Sequence, residues 1–376
     1  MFSWLHDLIV WAPIGLPAFA VVITAVVFVH EFGHFCVARA CGVGIKTFSI
    51  GFGGEIFGWN DKRGTRWKIA WLPLGGYVQF VGDAGAASTP DGEAIAEMSE
   101  AEKATAFHLK PLLHRALVVA AGPAANFLLA IVLFTCLYGI FGAQVLSTRV
   151  GAVSPHSPAL EAGLRPGDKI VAVAGRPVRL FVELQQAVQK NKTHPLTLSV
   201  LRDGKTLSMA MIPREIDNRD LMGEAIKTIG IGVSPAPPSA DNSVFVPIPV
   251  YKAPLAAVEQ TYGIVDLSMQ YLWRMVSHRA DPKQLSGPVG MAKLAQSAAS
   301  YGGYDFLYLI AFISVSIGLI NLFPIPLLDG GHLLYYGCEA VLGRPLKEEV
   351  QEAGYKLGLA LVLGLMVFAT WNDLIR

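Results

Sequence analysis

Four stretches of this 376-residue chain carry no charged side chain, and backbone chemistry leaves such stretches few options. Leu8–Val29 supplies 22 such residues, Ala116–Thr148 33, Phe306–Leu328 23 and Leu357–Asn372 16. In hydrocarbon every N–H and C=O must be satisfied internally, so an uncharged apolar run of about 20 residues reads as a membrane-spanning helix. Three runs reach that length unaided, and the fourth reaches it when Gly354 and Tyr355 extend it across Lys356. The first run has no basic flank before it and no small-residue cleavage site, so it reads as a retained span rather than a signal peptide. With 53% hydrophobic and 16% charged residues, disorder and collagen-like repeats are excluded. A net charge of +1 gives no basic field for nucleic acid. Cys36, Cys41, Cys136 and Cys338 are irregularly spaced and form neither a disulfide framework nor a zinc knuckle.

Orientation follows from the short flanks. No Lys or Arg precedes Arg39, whereas residues 35–115 carry nine, and Arg344, Lys347 and Lys356 precede the fourth span. The positive-inside rule makes these two segments cytoplasmic, the N-terminus external and residues 149–305 extracytoplasmic. Between the first two spans, residues 47–80 alternate β-branched and aromatic residues with glycines around a turn at Asn60–Gly64, a hairpin signature. Confined between spans, it is expected to lie against or dip into the membrane. Residues 83–106 read as a linker with a short amphipathic helix.

The external segment opens with alternating strands, turns and one amphipathic helix at Phe181–Lys190. Asp203-Gly204 supplies a hairpin turn between Leu196–Arg202 and Thr206–Ile212. From Ser157 to Val178 the run resembles a PDZ domain, a fold that takes extended peptides or C-termini onto a sheet edge. The proline-rich 234–254 reads as a linker. Residues 255–276 read as an interfacial amphipathic helix with Trp273 and Arg274 near its end.

Chemistry begins where the first span ends. His30-Glu31-Phe32-Gly33-His34 is H-E-x-x-H, which on a helix puts two imidazoles on one face to share zinc, with Glu31 placed as general base. A third ligand is required. Cys41 lies two turns away, and Asp329, directly after the third run, is the stronger candidate. Pro324 and Pro326 break the helix there, and irregular backbone at membrane depth survives only where it is buried or lines a wet cavity. An Asp capping a helix that begins near Gly330 is the plainer reading. His332 is a rival ligand, expected beyond the break and facing water or headgroups. Asn321 and Asn126 are polar at membrane depth and could bind freed substrate backbone. Gly122-Pro123-Ala124-Ala125-Asn126 is also a helix-packing run.

H-E-x-x-H ending the first span, G-P-x-x-N in the second, an external PDZ and N-x-x-P-x-P-x-L-D-G in the third together resemble the site-2 protease family (peptidase M50). The chain looks like its bacterial RseP-like group, with a single PDZ domain. The resemblance implies His30, His34 and Asp329 as ligands of one zinc ion, Glu31 as catalytic base, and Asn321 and Pro324 as residues holding unwound substrate. It implies a zinc metalloendopeptidase of the bacterial inner membrane, cutting within a single-span membrane protein such as an anti-sigma factor already shortened by a site-1 protease. The expected fold is a polytopic α-helical membrane protein with four spans, a membrane-associated β-hairpin and an extracytoplasmic α+β PDZ domain. Its expected parts are 1–40 (first span, H-E-x-x-H), 41–112 (cytoplasmic hairpin and linker), 113–142 (second span) and 145–214 (periplasmic PDZ). They continue as 215–304 (periplasmic linker and amphipathic helices), 305–343 (third span) and 344–376 (fourth). A scaffold with structural zinc would need a fourth ligand, a zinc transporter would need polar residues along several spans, and a water-exposed zincin would not draw a ligand from a second span.

Overall fold

The first apolar run is helical from Ser3 to Ala40 (α1) in the computed structural model, which describes residues 3–85, 92–192, 194–219, 225–237, 242–277 and 286–375. α1 stops because Gly42 turns left-handed (φ 68°), which lets Val43 N–H return to the Ala38 carbonyl. Strands β1 (Ile45–Asn60) and β2 (Arg66–Phe80) follow, then the short helices α2 (Gly92–Glu97) and α3 (Glu100–Lys103). Residues 86–91 of the sequence-read linker lie outside the described residues. α4 (Leu112–Ile140) is the second apolar run. Strands β3 (Ala143–Leu146) and β4 (Val150–Val153), helix α5 (Pro158–Glu161), strands β5 (Lys169–Val173) and β6 (Arg176–Pro177), and helix α6 (Phe181–Asn191) come next. Six strands then run in order: β7 (Leu196–Arg202), β8 (Lys205–Met211), β9 (Arg214–Arg219), β10 (Ala225–Gly230), β11 (Val233–Pro235) and β12 (Ser243–Val246). The chain closes with α7 (Ala253–Val276), α8 (Pro288–Tyr301), α9 (Gly303–Asn321), α10 (Asp329–Leu342) and α11 (Glu348–Ile375). Among the described residues, four helices are long and apolar enough to cross a membrane: Ala12–Ala40, Leu112–Ile140, Gly303–Asn321 and Glu349–Ile375.

The chain divides into two compact units. One comprises Met1–Thr135, Pro254–Ser268 and Lys283–Arg376. In it β1 and β2 form the hairpin read from the sequence, and both strands bend. Thr47–Ile50 pair with Gly76–Gln79 and also with Arg66–Ile69, while Glu55–Asn60 pair with Arg66–Ala70. Gly76–Phe80 is therefore an edge segment. The turn is fastened by Asp61, whose carboxylate accepts from Arg63 N, Thr65 N, Trp67 Nε1 and the Arg39 guanidinium. Burial pushes this carboxyl up, but those donors outweigh it and hold it at about 2. The sheet packs on the second half of α1 through Phe35, Phe48 and Trp67, the last two stacked 4.4 Å apart. Farther back along α1, Thr24 Oγ1 donates to the Pro73 carbonyl at 3.1 Å, about 9 Å along the helix from His30. A second core joins Val22 and Val26 of α1 to Ala295 of α8 and Ile310 and Ile313 of α9.

The other unit comprises Cys136–Ala253 and Met269–Pro282. Its four-stranded sheet runs β6-β5-β7-β8, with α6 packed on it through Phe181, Leu184 and Val188. Strand register carries this unit past residue 214. β11 pairs with β4 and β12 with β3, so residues read from their prolines as linker are partly strand. Pro235, at the end of β11, forgoes only a hydrogen bond that an edge strand does not need. The β9–β10 hairpin was not anticipated from the sequence. Residues 238–241 of the expected linker lie outside the described residues.

Asp168 ties three segments of this unit together. Arg202 donates to both its oxygens at 2.7 Å and Arg165 N at 2.8 Å, while Arg202 Nη2 also reaches the Gly163 carbonyl. The Arg202 bonds hold the Asp168 carboxyl below the usual carboxylate range. Its stabilisation is therefore present at neutral pH and is lost as the pH falls through that depressed value. Asp168→Asn is expected to weaken the unit by about 2 kcal/mol at pH 7, and the deficit should shrink in acid. Hydrogen exchange of the amides in 196–211 reads this as roughly 30-fold faster opening.

Candidate metal centre

α1 stays helical through His30–His34, so the two imidazoles lie one turn apart on one face, edge to face with an interplanar angle of 86°. Their Nε2 atoms are 3.2 Å apart. Asp329 Oδ2 lies 3.1 Å from His30 Nε2 and 3.5 Å from His34 Nε2. A tetrahedral zinc ion with ligands at about 2.0–2.1 Å sets neighbouring donors about 3.3–3.4 Å apart, so this triangle is one face of such a site. Asp329 Oδ2 is buried with no hydrogen-bond partner among the described residues, as an atom reserved for a cation would be. His30, His34 and Asp329 are the one group of His, Cys, Asp or Glu with metal-binding spacing among the described residues. Cys41 is not in it.

Asp329 arrives by a break in the chain. α9 ends at Asn321, and Leu322, Phe323, Ile325 and Leu328 close short local hydrogen bonds, so the backbone around Pro324 and Pro326 is not left open. α10 then starts at Asp329 itself. A Cβ on Gly330 would stand 2.2 Å from the Phe323 carbonyl oxygen and one on Gly331 2.4 Å from that of Ile325, so only glycines let α10 begin this close to the break. Leu327, also in the break, adopts φ 108°, a strained value for a branched side chain.

The histidines are held from α4. His34 Nδ1 is 2.8 Å from the Val118 carbonyl, which takes the ring proton and leaves Nε2 as the free donor atom. Gly122 faces both rings: a Cβ there would meet His34 Nε2 at 2.3 Å and His30 Cε1 at 2.9 Å. Gly33 presses equally close to α4, its Cβ position lying 2.4 Å from the Ala121 carbonyl oxygen. The G-P-x-x-N run is thus a packing motif whose bare glycine makes room for the histidines.

The open side of the triangle faces a cleft of about 670 Å³ lined by Glu31, the sheet segment Gly75–Val78, Phe52, Asn321 and the end of the break. The Val78 amide is directed at the Glu31 carboxylate. Asn321 lines the cleft as expected; Pro324 shapes the break and is exposed, and is not among the lining residues. Two expectations are corrected. Asn126 is fully buried, with its amide Nδ2 3.3 Å from His30 Nδ1, so it lies against a ring and is not among the residues lining the cleft. His332 lines the cleft wall, with Tyr355 Oη 3.4 Å from its ring, instead of facing water or headgroups; one turn of α10 carries it to the same side as Asp329. The Val118 carbonyl and the Val78 amide had no sequence signal, because every residue has both groups.

The chain matches the profile of peptidase family M50 over residues 18–365. It is 44% identical over 360 residues to a Mesorhizobium japonicum protein that carries the name zinc metalloprotease, covering 96% of this chain and 98% of that one. To metalloprotease MmpA of Caulobacter vibrioides it is 41% identical over 379 residues, covering 94% of each. A Rickettsia conorii protein, also bearing the name zinc metalloprotease, is 34% identical over 363 residues, covering 96% of this chain and 98% of its own.

Gly122→Ala is expected to force the rings apart and strip the centre. Zinc per protein, measured by mass spectrometry after dialysis, should fall to a small fraction of that in the wild type. Gly139→Ala on the same helix, where the nearest neighbour of a Cβ is 3.8 Å away, should keep its zinc.

Proposed function

The chain belongs to peptidase family M50, the site-2 protease family of zinc metalloproteases, and on that footing we propose that it hydrolyses a peptide bond within the membrane-spanning segment of a single-span protein. The observation that carries the reading is the triangle of His30, His34 and Asp329 donors, drawn from the ends of two apolar segments, open to a cleft with a strand edge as one wall. We take these three residues as the ligands and Glu31 as the base. Zinc held there would polarise the scissile carbonyl and acidify a water. Glu31 would take a proton from the water whose oxygen adds to the scissile carbonyl and return it to the amine nitrogen as the C–N bond breaks, while the Val78 amide keeps the carboxylate aimed at the cleft.

A helical substrate must unwind before its carbonyls can be attacked, and in an apolar setting the freed groups need partners. Gly76–Phe80 pairs with a strand on one side only and, although the Val78 amide faces Glu31 and the Phe80 amide donates to Asp83, its remaining free-edge groups can take some of them, with the Asn321 amide holding a further one. Gly76 suits this place, since a Cβ there would crowd the Ser49 carbonyl at 2.7 Å and the Glu31 side chain.

In this reading the centre lies towards the cytoplasmic side of a bacterial inner membrane, and residues 150–235 form a periplasmic PDZ domain. A groove of about 240 Å³ between α6 and Gly230–Val233, lined by Phe181, Leu184 and Val188, suits an extended apolar C-terminus. Such an end is what a first, external cleavage leaves on a substrate such as an anti-sigma factor.

Two outcomes test the proposal. Reconstituted with a single-span substrate, Glu31→Gln should keep its zinc and cut at least about 10²-fold more slowly than wild type; equal cleavage by both removes the assignment of Glu31. Ile229→Glu, at an exposed residue of the groove wall, should abolish capture of a peptide ending in an apolar residue, read by fluorescence anisotropy, while leaving cleavage of a substrate without an external domain unchanged.

A further inference from the structure

We propose that Asn126 is a positioning residue of the metal centre: its side-chain oxygen accepts the Nδ1–H of His30 and fixes that ring with Nε2 towards the ion. The inference rests on His30 being a ligand, as read above. A neutral imidazole that binds metal through Nε2 carries its proton on Nδ1 and must donate it to something. For His34 that acceptor is the Val118 carbonyl, 2.8 Å away. For His30 the group within reach is the Asn126 amide, with Nδ2 at 3.3 Å from Nδ1, while Asn126 Oδ1 is buried and has no partner among the described residues. Two N–H groups cannot bond each other. Half a turn of the amide about its last torsion exchanges oxygen and nitrogen in nearly the same volume and puts the orphaned acceptor on the ring proton.

The side chain is well placed for this duty. Asn126 is 0% exposed, so water cannot substitute for it. Its backbone carbonyl accepts from Ser314 Oγ of α9 at 2.8 Å, and the absence of a side chain at Gly318 lets α9 close over it, a Cβ there lying 3.1 Å from Asn126 Cβ. Asn126 is not among the residues that line the cleft; it acts through His30.

Zinc affinity of the purified full-length chain, measured by competition with a chromogenic chelator, tests it. Asn126→Leu should bind zinc about 10–100-fold more weakly. Asn126→Asp, which can only accept when ionised, should stay within a few-fold of wild type or bind more tightly. Ser314→Ala, which loses only the backbone contact, should not change it. Wild-type affinity in Asn126→Leu overturns the proposal, and so does an Asn126→Asp affinity as weak as that of the Leu variant. Should Asn126→Leu not fold, Asn126→Ala gives the same reading of affinity, and the Asp variant separates acceptor from donor, because a residue needed as a donor to the ring would lose zinc on becoming a carboxylate. His30→Ala separates the two readings. If it keeps wild-type affinity the ligand assignment itself fails; if it loses zinc while Asn126→Leu does not, only the role of Asn126 falls.

Discussion

Everything at the centre depends on how closely α1 approaches α4. At Gly33 and Gly122 no side chain larger than hydrogen fits, and that absence brings the Val118 carbonyl to one histidine and the Asn126 amide to the other. In an apolar medium there is no hydrophobic drive to push helices together, so association relies on close packing of small residues and on hydrogen bonds between them. The same crossing supplies both. It is a steric constraint with an electrostatic result: two imidazoles with their Nε2 atoms 3.2 Å apart, both beside the Asp329 carboxylate.

The third donor obeys a different constraint. The chain breaks between Asn321 and Asp329, closes its own short hydrogen bonds so that the irregular backbone is satisfied, and restarts with the carboxylate at the first position of α10. Pro324 and Pro326 remove donors where none could be satisfied, Gly330 and Gly331 allow the return, and Leu327 stores the strain. The α11 glycines serve the same break from outside: a Cβ on Gly358 would overlap the Pro326 carbonyl. The sheet completes the cleft by leaving one edge, Gly76–Phe80, unpaired beside it.

Where the sequence was legible, the signal was a spacing. The four apolar runs became four helices, Asn60–Gly64 became the turn of the hairpin, and H-E-x-x-H kept its helical register. Where it was not, the relevant partner lay far away in the chain. Asn126 reads equally well as a substrate contact or as packing until His30, 96 residues away, is seen beside it. His332 reads as outward-facing because the direction of α10 after the break is set by Gly330 and Gly331 meeting carbonyls, not by any periodicity. The strands β11 and β12 hid among prolines because edge pairing tolerates them, so composition marked a linker where β4 and β3 needed neighbours.

By itself, then, the order of residues determined which segments are apolar enough to span a membrane, which helix bears two imidazoles on one face, and that a glutamate lies between them, since each of these follows from helical periodicity and transfer energetics within a single stretch of chain. The sequence offered Asp329 as the stronger third donor, but that its carboxylate meets both rings, which groups lie against the ring Nδ1 atoms, and which strand edge borders the cleft were decided by tertiary structure. Their positions depend on contacts between atoms up to about 300 residues apart, and those contacts are set by where backbone groups can approach one another, which is a property of packing rather than of any local pattern.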